Sequence, residues 1–106
     1  MEDNSLPNGM SILHSKSENG GQFLLFQDET EIGNLDYRWA GTKKIIIDYV
    51  QVTPRLRGHN LAKLLVSHAV IFAKSQNIRI VPLCSYARIV MLRNPGMKEV
   101  MYPIGE

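Results

Sequence analysis

The chain reads Ile45-Ile46-Ile47-Asp48-Tyr49-Val50-Gln51-Val52, then Thr53-Pro54-Arg55-Leu56, then Arg57-Gly58-His59-Asn60-Leu61-Ala62. Apart from Asp48 and Gln51, residues 45–52 are β-branched or aromatic, the composition of a strand. Leu61, Leu64, Leu65, His68 and Phe72 fall at helical spacing, which predicts a helix to Gln76. A strand, a short glycine-containing turn and a helix start form a ready anion site. The first N–H groups of a helix have no internal partner, and the helix dipole favours negative charge there. Gly58 has no side chain to keep a phosphate from the backbone, and Arg57 adds a charged donor. The ligand class suggested is a phosphate-bearing cofactor.

Downstream, Gln76-Asn77 ends the helix, because Asn tolerates a left-handed cap. Residues 78–84 (Ile-Arg-Ile-Val-Pro-Leu-Cys) are rich in β-formers. Strand, helix and strand in this order predict a parallel pair joined by a right-handed crossover. Pro82 lacks an N–H, so pairing should weaken near the strand's end. Ser85 is expected to cap a second helix over 86–93, which Asn94-Pro95-Gly96 terminates. Residues 97–106 form a tail with room for one more short element.

Upstream, residues 1–10 read as a flexible polar lead-in, and 11–106 as one minimal domain. Ser11-Ile12-Leu13-His14 makes a short first strand. Ser17-Glu18-Asn19-Gly20-Gly21 is a hairpin turn, with Asn-Gly as the favoured pair. Residues 22–27 read as a buried strand, and 28–31 as the next turn. Over 32–40, Gly33, Leu35, Tyr37 and Trp39 alternate with Asn34, Asp36 and Arg38, the pattern of a half-buried antiparallel strand. The fold class is therefore α+β: a mixed, mostly antiparallel sheet with one strand–helix–strand crossover and two main helices.

Composition narrows the function. No run of 18 apolar residues is present, so no transmembrane helix is expected. The acidic start is unlike a secretory signal, and a lone Cys84 precludes an internal disulfide, so a cytoplasmic setting is the default. Residues 1–36 carry seven acids and one base (−6), and 37–106 carry eleven bases and three acids (+8), which sums to the net +2. The basic part holds the proposed anion site, although scattered bases also serve solubility. His14, His59 and His68 match no zinc spacing, so no metal is expected. His68 reads as a satisfied core residue, and Tyr37 and Trp39 as core.

The segment around Arg57, Gly58 and Ala62 resembles the phosphate-binding signature of the GNAT acetyltransferase superfamily. Asn60 stands where a central glycine is usual, and Asn is the non-glycine residue best suited to positive φ. Val81-Pro82-Leu83-Cys84-Ser85-Tyr86 and Arg93-Asn94-Pro95 resemble a second motif of the short GNAT-like subgroup. The likeness runs from Leu35 to about Glu99. Tyr49 stands where that subgroup commonly has a His.

The resemblance implies a GNAT fold that binds acetyl-CoA and moves acetyl to an amine acceptor, either a small amine or a protein amine. Arg57, Gly58, His59, Asn60, Leu61 and Ala62 would cradle the pyrophosphate, and Val50 and Val52 would contact the pantetheine through their backbones. Asn94 would bond the pantetheine or, alternatively, cap the last helix. Cys84 would be a nucleophile or an acid toward the leaving thiolate, or else a small buried hydrophobe. Tyr86 is a second candidate acid, and Asp48 and Tyr49 could face the acceptor. The main alternative is a non-catalytic CoA-binding or regulatory module. A structural interaction domain would bind no CoA. A nucleic-acid module is not expected, because the bases are not clustered with exposed aromatics.

Overall fold

The computed structural model describes residues 6–102. The first half of the lead-in and the last four tail residues therefore lie outside the described residues. Five strands follow one another as β1 (Met10–Lys16), β2 (Gly20–Gln27), β3 (Thr30–Trp39), β4 (Lys44–Val52) and β5 (Arg79–Pro82). A 3₁₀ turn (Pro54–Leu56) and α1 (Leu61–Gln76) connect β4 to β5, and α2 (Ser85–Arg93) and α3 (Pro95–Lys98) follow. The sheet order is β1-β2-β3-β4-β5, with the first four strands antiparallel and β4–β5 parallel.

The alternation read in residues 32–40 is what builds the core. Leu35 and Tyr37 of β3, Phe23 and Leu25 of β2, and Ile45 and Ile47 of β4 are all buried. They meet Leu61, Leu65, Val66, Ala69, Val70 and Ala73 of α1. Helix α1 crosses β2 to β5 and lies against α2, which in turn contacts β4, β5 and α3. On the opposite sheet face Leu13, Tyr49 and Gln51 are exposed, so no helix covers that face among the described residues.

Polar groups on the uncovered face satisfy one another. Gln22 Nε2 and Asn34 Nδ2 both donate to Asp36 Oδ1 at 2.9 Å, and Gln51 Nε2 donates to Asn34 Oδ1 at 3.2 Å. Arg38 pairs with Asp48 at 2.9 Å beside them. This ladder explains a departure from simple alternation: Asn34, on the polar face, is only 6% exposed. Its amide is surrounded by neighbouring side chains and remains hydrogen-bonded, as burial requires.

Several expectations change. The Ser17–Gly21 turn does not use Asn-Gly for positive φ, since neither residue adopts it. Gly20 and Gly21 begin β2, and the reason for glycine is close approach. A Cβ on Gly20 would collide with the Tyr37 carbonyl, and one on Gly21 would lie 2.7 Å from Ser15 O. The cap of α2 is Cys84, with Ser85 its first helical residue, and no side chain bonds the cap. Two further short elements appear, the 3₁₀ turn and α3.

The described part of the tail is paired to the sheet. Ile80 donates to Val100 O and accepts from Tyr102 N–H at 2.7 Å, so residues 100–102 run along the outer edge of β5. His68 is not satisfied: its Nε2 is buried with no hydrogen-bond partner, and burial lowers the imidazole pKa. His14 shares a 2.7 Å hydrogen bond with Tyr37 Oη and stacks on Phe23 at 4.1 Å.

Candidate functional site

The turn after β4 sets up the site. Thr53-Pro54 starts a 3₁₀ turn that Arg57 N–H closes on Pro54 O. The chain then takes two left-handed steps, Gly58 at φ 89° and Asn60 at φ 62°, ψ 19°. Asn60 thus adopts the conformation its residue type favours at a glycine-like position. Alternating backbone signs turn successive N–H groups toward one concave side. The N–H groups of residues 58–63 donate to no protein atom among the described residues, and Asn60 gives no side-chain cap to α1. A Cβ on Gly58 would meet nothing within 4 Å, so the loop is open to a ligand.

A second edge lies alongside. Parallel pairing runs from Lys44↔Arg79 to Ile47↔Pro82 and stops. Leu83 and Cys84 N–H both converge on Ile47 O at 3.1 Å, and the chain turns away into α2. Residues 49–52 of β4 therefore have a strand partner only on the β3 side. A register shift at Asp36/Tyr37 bends β4 at the same level.

A cleft of about 400 Å³ joins the loop to this edge. Val50, Val52, Arg57, Gly58, Asn60, Leu61, Ala62 and Tyr86 line it, together with Gln51 and Leu56. The last two were not singled out from sequence, although their place beside Val50 and Arg57 was the available signal. Tyr86 has its pKa raised, first by burial and then by the neighbouring Cys84, so its phenol holds its proton at neutral pH.

Three candidates lie elsewhere. His59 and Asn94 line a neighbouring cleft of about 550 Å³ between α1 and the 94–97 segment, which Lys63 also lines and which meets the first cleft at Asn60. The Asn94 side chain donates to Val90 O at 2.6 Å, which caps the end of α2. Cys84 is a half-buried free thiol that packs against the core and lines neither cleft. Asp48 is engaged by Arg38, and Tyr49 is exposed on the uncovered sheet face. Among the described residues no group of three His, Cys, Asp or Glu could hold a metal, and no helix is long and apolar enough to cross a membrane.

A sequence model of a family described as GCN5-related N-acetyl-transferase matches residues 22–100. No protein of curated function matches the sequence. Several solved structures share the fold. A candidate GCN5-like N-acetyltransferase from Staphylococcus aureus gives a TM-score of 0.71 at 24% identity, covering 94% of this chain and 95% of its own. A GNAT family acetyltransferase from Elizabethkingia anophelis with acetyl-CoA bound gives 0.66 at 10% identity, covering 82% and 74%. A candidate streptothricin acetyltransferase from Bacillus anthracis in complex with acetyl coenzyme A gives 0.55 at 19% identity, covering 62% of this chain and 38% of its own. The chain thus spans under two fifths of that last protein.

Proposed function

Because the chain belongs to the GCN5-related N-acetyltransferase family, we propose that it binds acetyl-CoA at the 57–62 loop and transfers acetyl to an amine. The observation that carries this reading is the run of N–H groups at residues 58–63 that have no partner among the described residues, opening into a cleft that continues along the free edge of β4. The loop suits a pyrophosphate by charge and by donor direction, with Arg57 adding a cation. The strand edge suits an extended amide-bearing arm, which would take the hydrogen bonds a missing strand leaves unmade. His59 and Lys63, in the adjoining cleft, would face the nucleotide end.

Transfer itself needs a proton on the departing sulfur and removal of one from the attacking amine. A neutral amine attacks the thioester carbonyl, the carbon–sulfur bond breaks, and Tyr86 Oη gives its proton to the thiolate. The proton lost by the amine nitrogen returns to the phenolate through water. Tyr86 is favoured over Cys84 because it lines the cleft while Cys84 packs against the core. Cys84 then fixes the turn at the start of α2.

The test is a thermal-shift comparison of acetyl-CoA, CoA and ATP. Both CoA forms should raise the melting temperature and ATP should do so less; no shift with either CoA form would sink the reading. Mass spectrometry after incubation with acetyl-CoA then tests the route. A 42-Da adduct on Cys84, lost on adding an amine, would replace direct transfer by a two-step one.

A further inference from the structure

The outer side of α2 carries side chains that a solvated helix has no need of. Tyr86, Ile89 and Leu92 recur every three residues and are 40%, 46% and 45% exposed, and Leu83, just before the helix, is 63% exposed. The core side of the helix is already supplied by Ala87, Val90 and Met91. The row is therefore apolar surface left over once the core is complete. Apolar residues scattered singly over a surface are ordinary, but several in one row mark a contact surface.

Charge indicates what the contact is. Arg88 and Arg93 are exposed on the same helix, and the sequence of α2 contains no acid. Two copies of this face packed on each other would bring arginines together, whereas a partner with carboxylates neutralises them. Continuity indicates where the contact leads. Tyr86 belongs both to the row and to the lining of the cleft, so anything lying on the row has one end at the proposed transfer point.

We propose that this face of α2 docks the acceptor, and that the acceptor is a protein segment with leucine-like and carboxylate side chains next to the reactive amine. The proposal rests on the acetyl-transfer reading for the amine and on the helix surface for the rest. Nine helical residues span about 13 Å, which matches roughly four residues of an extended peptide. Recognition therefore covers the amine and about the four residues beside it.

Three synthetic twelve-residue peptides with free N-terminal amines test it: one alternating leucine and glutamate, one leucine and lysine, one serine and glutamate. Binding to the full chain is read by fluorescence polarisation without acetyl-CoA, and product by mass spectrometry with it. The leucine–glutamate peptide should bind roughly tenfold tighter than either other. The double variant Ile89→Ser, Leu92→Ser should lose that margin, and Arg88→Glu with Arg93→Glu should shift the preference to the leucine–lysine peptide. Equal binding of all three peptides would overturn the proposal, as would unchanged binding in both double variants. A dimer seen by sedimentation and dissolved by Ile89→Ser, Leu92→Ser would assign the face to a second copy and overturn it too. The thermal shift with CoA is recorded for each protein. Lost peptide binding with an unchanged CoA shift supports docking. A missing CoA shift in the serine variant alone signals misfolding and leaves the decision to the charge reversal. A missing CoA shift in the unaltered chain sinks acetyl transfer, and polarisation still decides the docking face.

Discussion

The two ends of β4 have different surroundings. Its first half, residues 44–47, sits between β3 and β5, with Ile45 and Ile47 fully buried beneath α1. Past the bulge at Asp48, residues 49–52 are paired with β3 alone, and Val50, Gln51 and Val52 line the cleft. Both halves carry β-branched side chains, Ile45 to Ile47 in the first and Val50 and Val52 in the second. What differs is the partner: β5 ends at Pro82, which cannot donate to a ladder. A strand that would otherwise serve only the core is thereby left with an unoccupied hydrogen-bonding edge.

The sharpest way to break this comparison is to truncate one side chain in each half. Ile47→Ala should cost about 2–5 kcal/mol in urea unfolding, because the site is closed on every side. Val50→Ala, half-buried at the cleft, should cost about 1 kcal/mol and should weaken CoA binding in calorimetry. Equal losses of stability would mean that the halves are equally packed.

The loop comes next. Arg57→Ala should weaken CoA by about 1.5–3 kcal/mol, the worth of a charge-assisted bond, while leaving the urea midpoint nearly unchanged. If affinity holds, Arg57 does not face the phosphates. Asn60 gives a smaller and purely conformational effect. Asn60→Val should destabilise by about 1–2 kcal/mol, the cost of forcing a side chain with Cβ branching left-handed, whereas Asn60→Gly should lie within about 1 kcal/mol of the parent. Similar melting of the two variants would deny that φ 62° matters.

The smallest effect concerns pH. Burial, and then Lys16, lower the pKa of His14 below the ordinary 6.5, and burial lowers that of His68. The unfolded chain therefore takes up protons more readily than the folded one. The contribution is fully present above about pH 6.5 and is lost as pH falls from there toward the lowered folded values. Urea midpoints should drop between pH 7.5 and 5.5, and His14→Gln should flatten the slope. A slope that persists in His14→Gln and His68→Leu together would place the titration elsewhere.

Much of this was legible in the sequence because it depends on local rules. Alternation around Leu35 and Tyr37 marked β3, the glycine-like need at Asn60 marked its left-handed turn, and Asn77 ends α1 at φ 57°, as a cap-forming Asn does. What escaped depends on contacts between distant residues. Gly20 looked like a turn residue, but the Tyr37 carbonyl, seventeen positions later (37 − 20), is what excludes a side chain. Asn34 looked like a surface residue, but Gln51 and Asp36 reach over it. The tail offered room for one more short element, and the free edge of Ile80 is what its residues 100–102 pair with. Asn94 fits CoA or a helix end equally by residue type, and the carbonyl of Val90, four residues back, accepts from its side chain. Cys84 and Tyr86 are two residues apart, yet only one lines the cleft, because the turn out of β5 points them differently.

The parallel register has a consequence in time. Each hairpin of β1–β4 closes between neighbours in the chain, while Lys44 meets Arg79 across 35 positions (79 − 44). Closing long segments is entropically dearer and slower than closing short ones. The meander should therefore assemble early and the β4–β5 contact late, so the cleft is expected to be the last feature to form. Stopped-flow kinetics would show it: Leu35→Ala should slow folding, whereas Ile80→Ala should chiefly speed unfolding. A chain arrested before that final closure would hold most of its sheet and no place for the acetyl-CoA proposed to bind there.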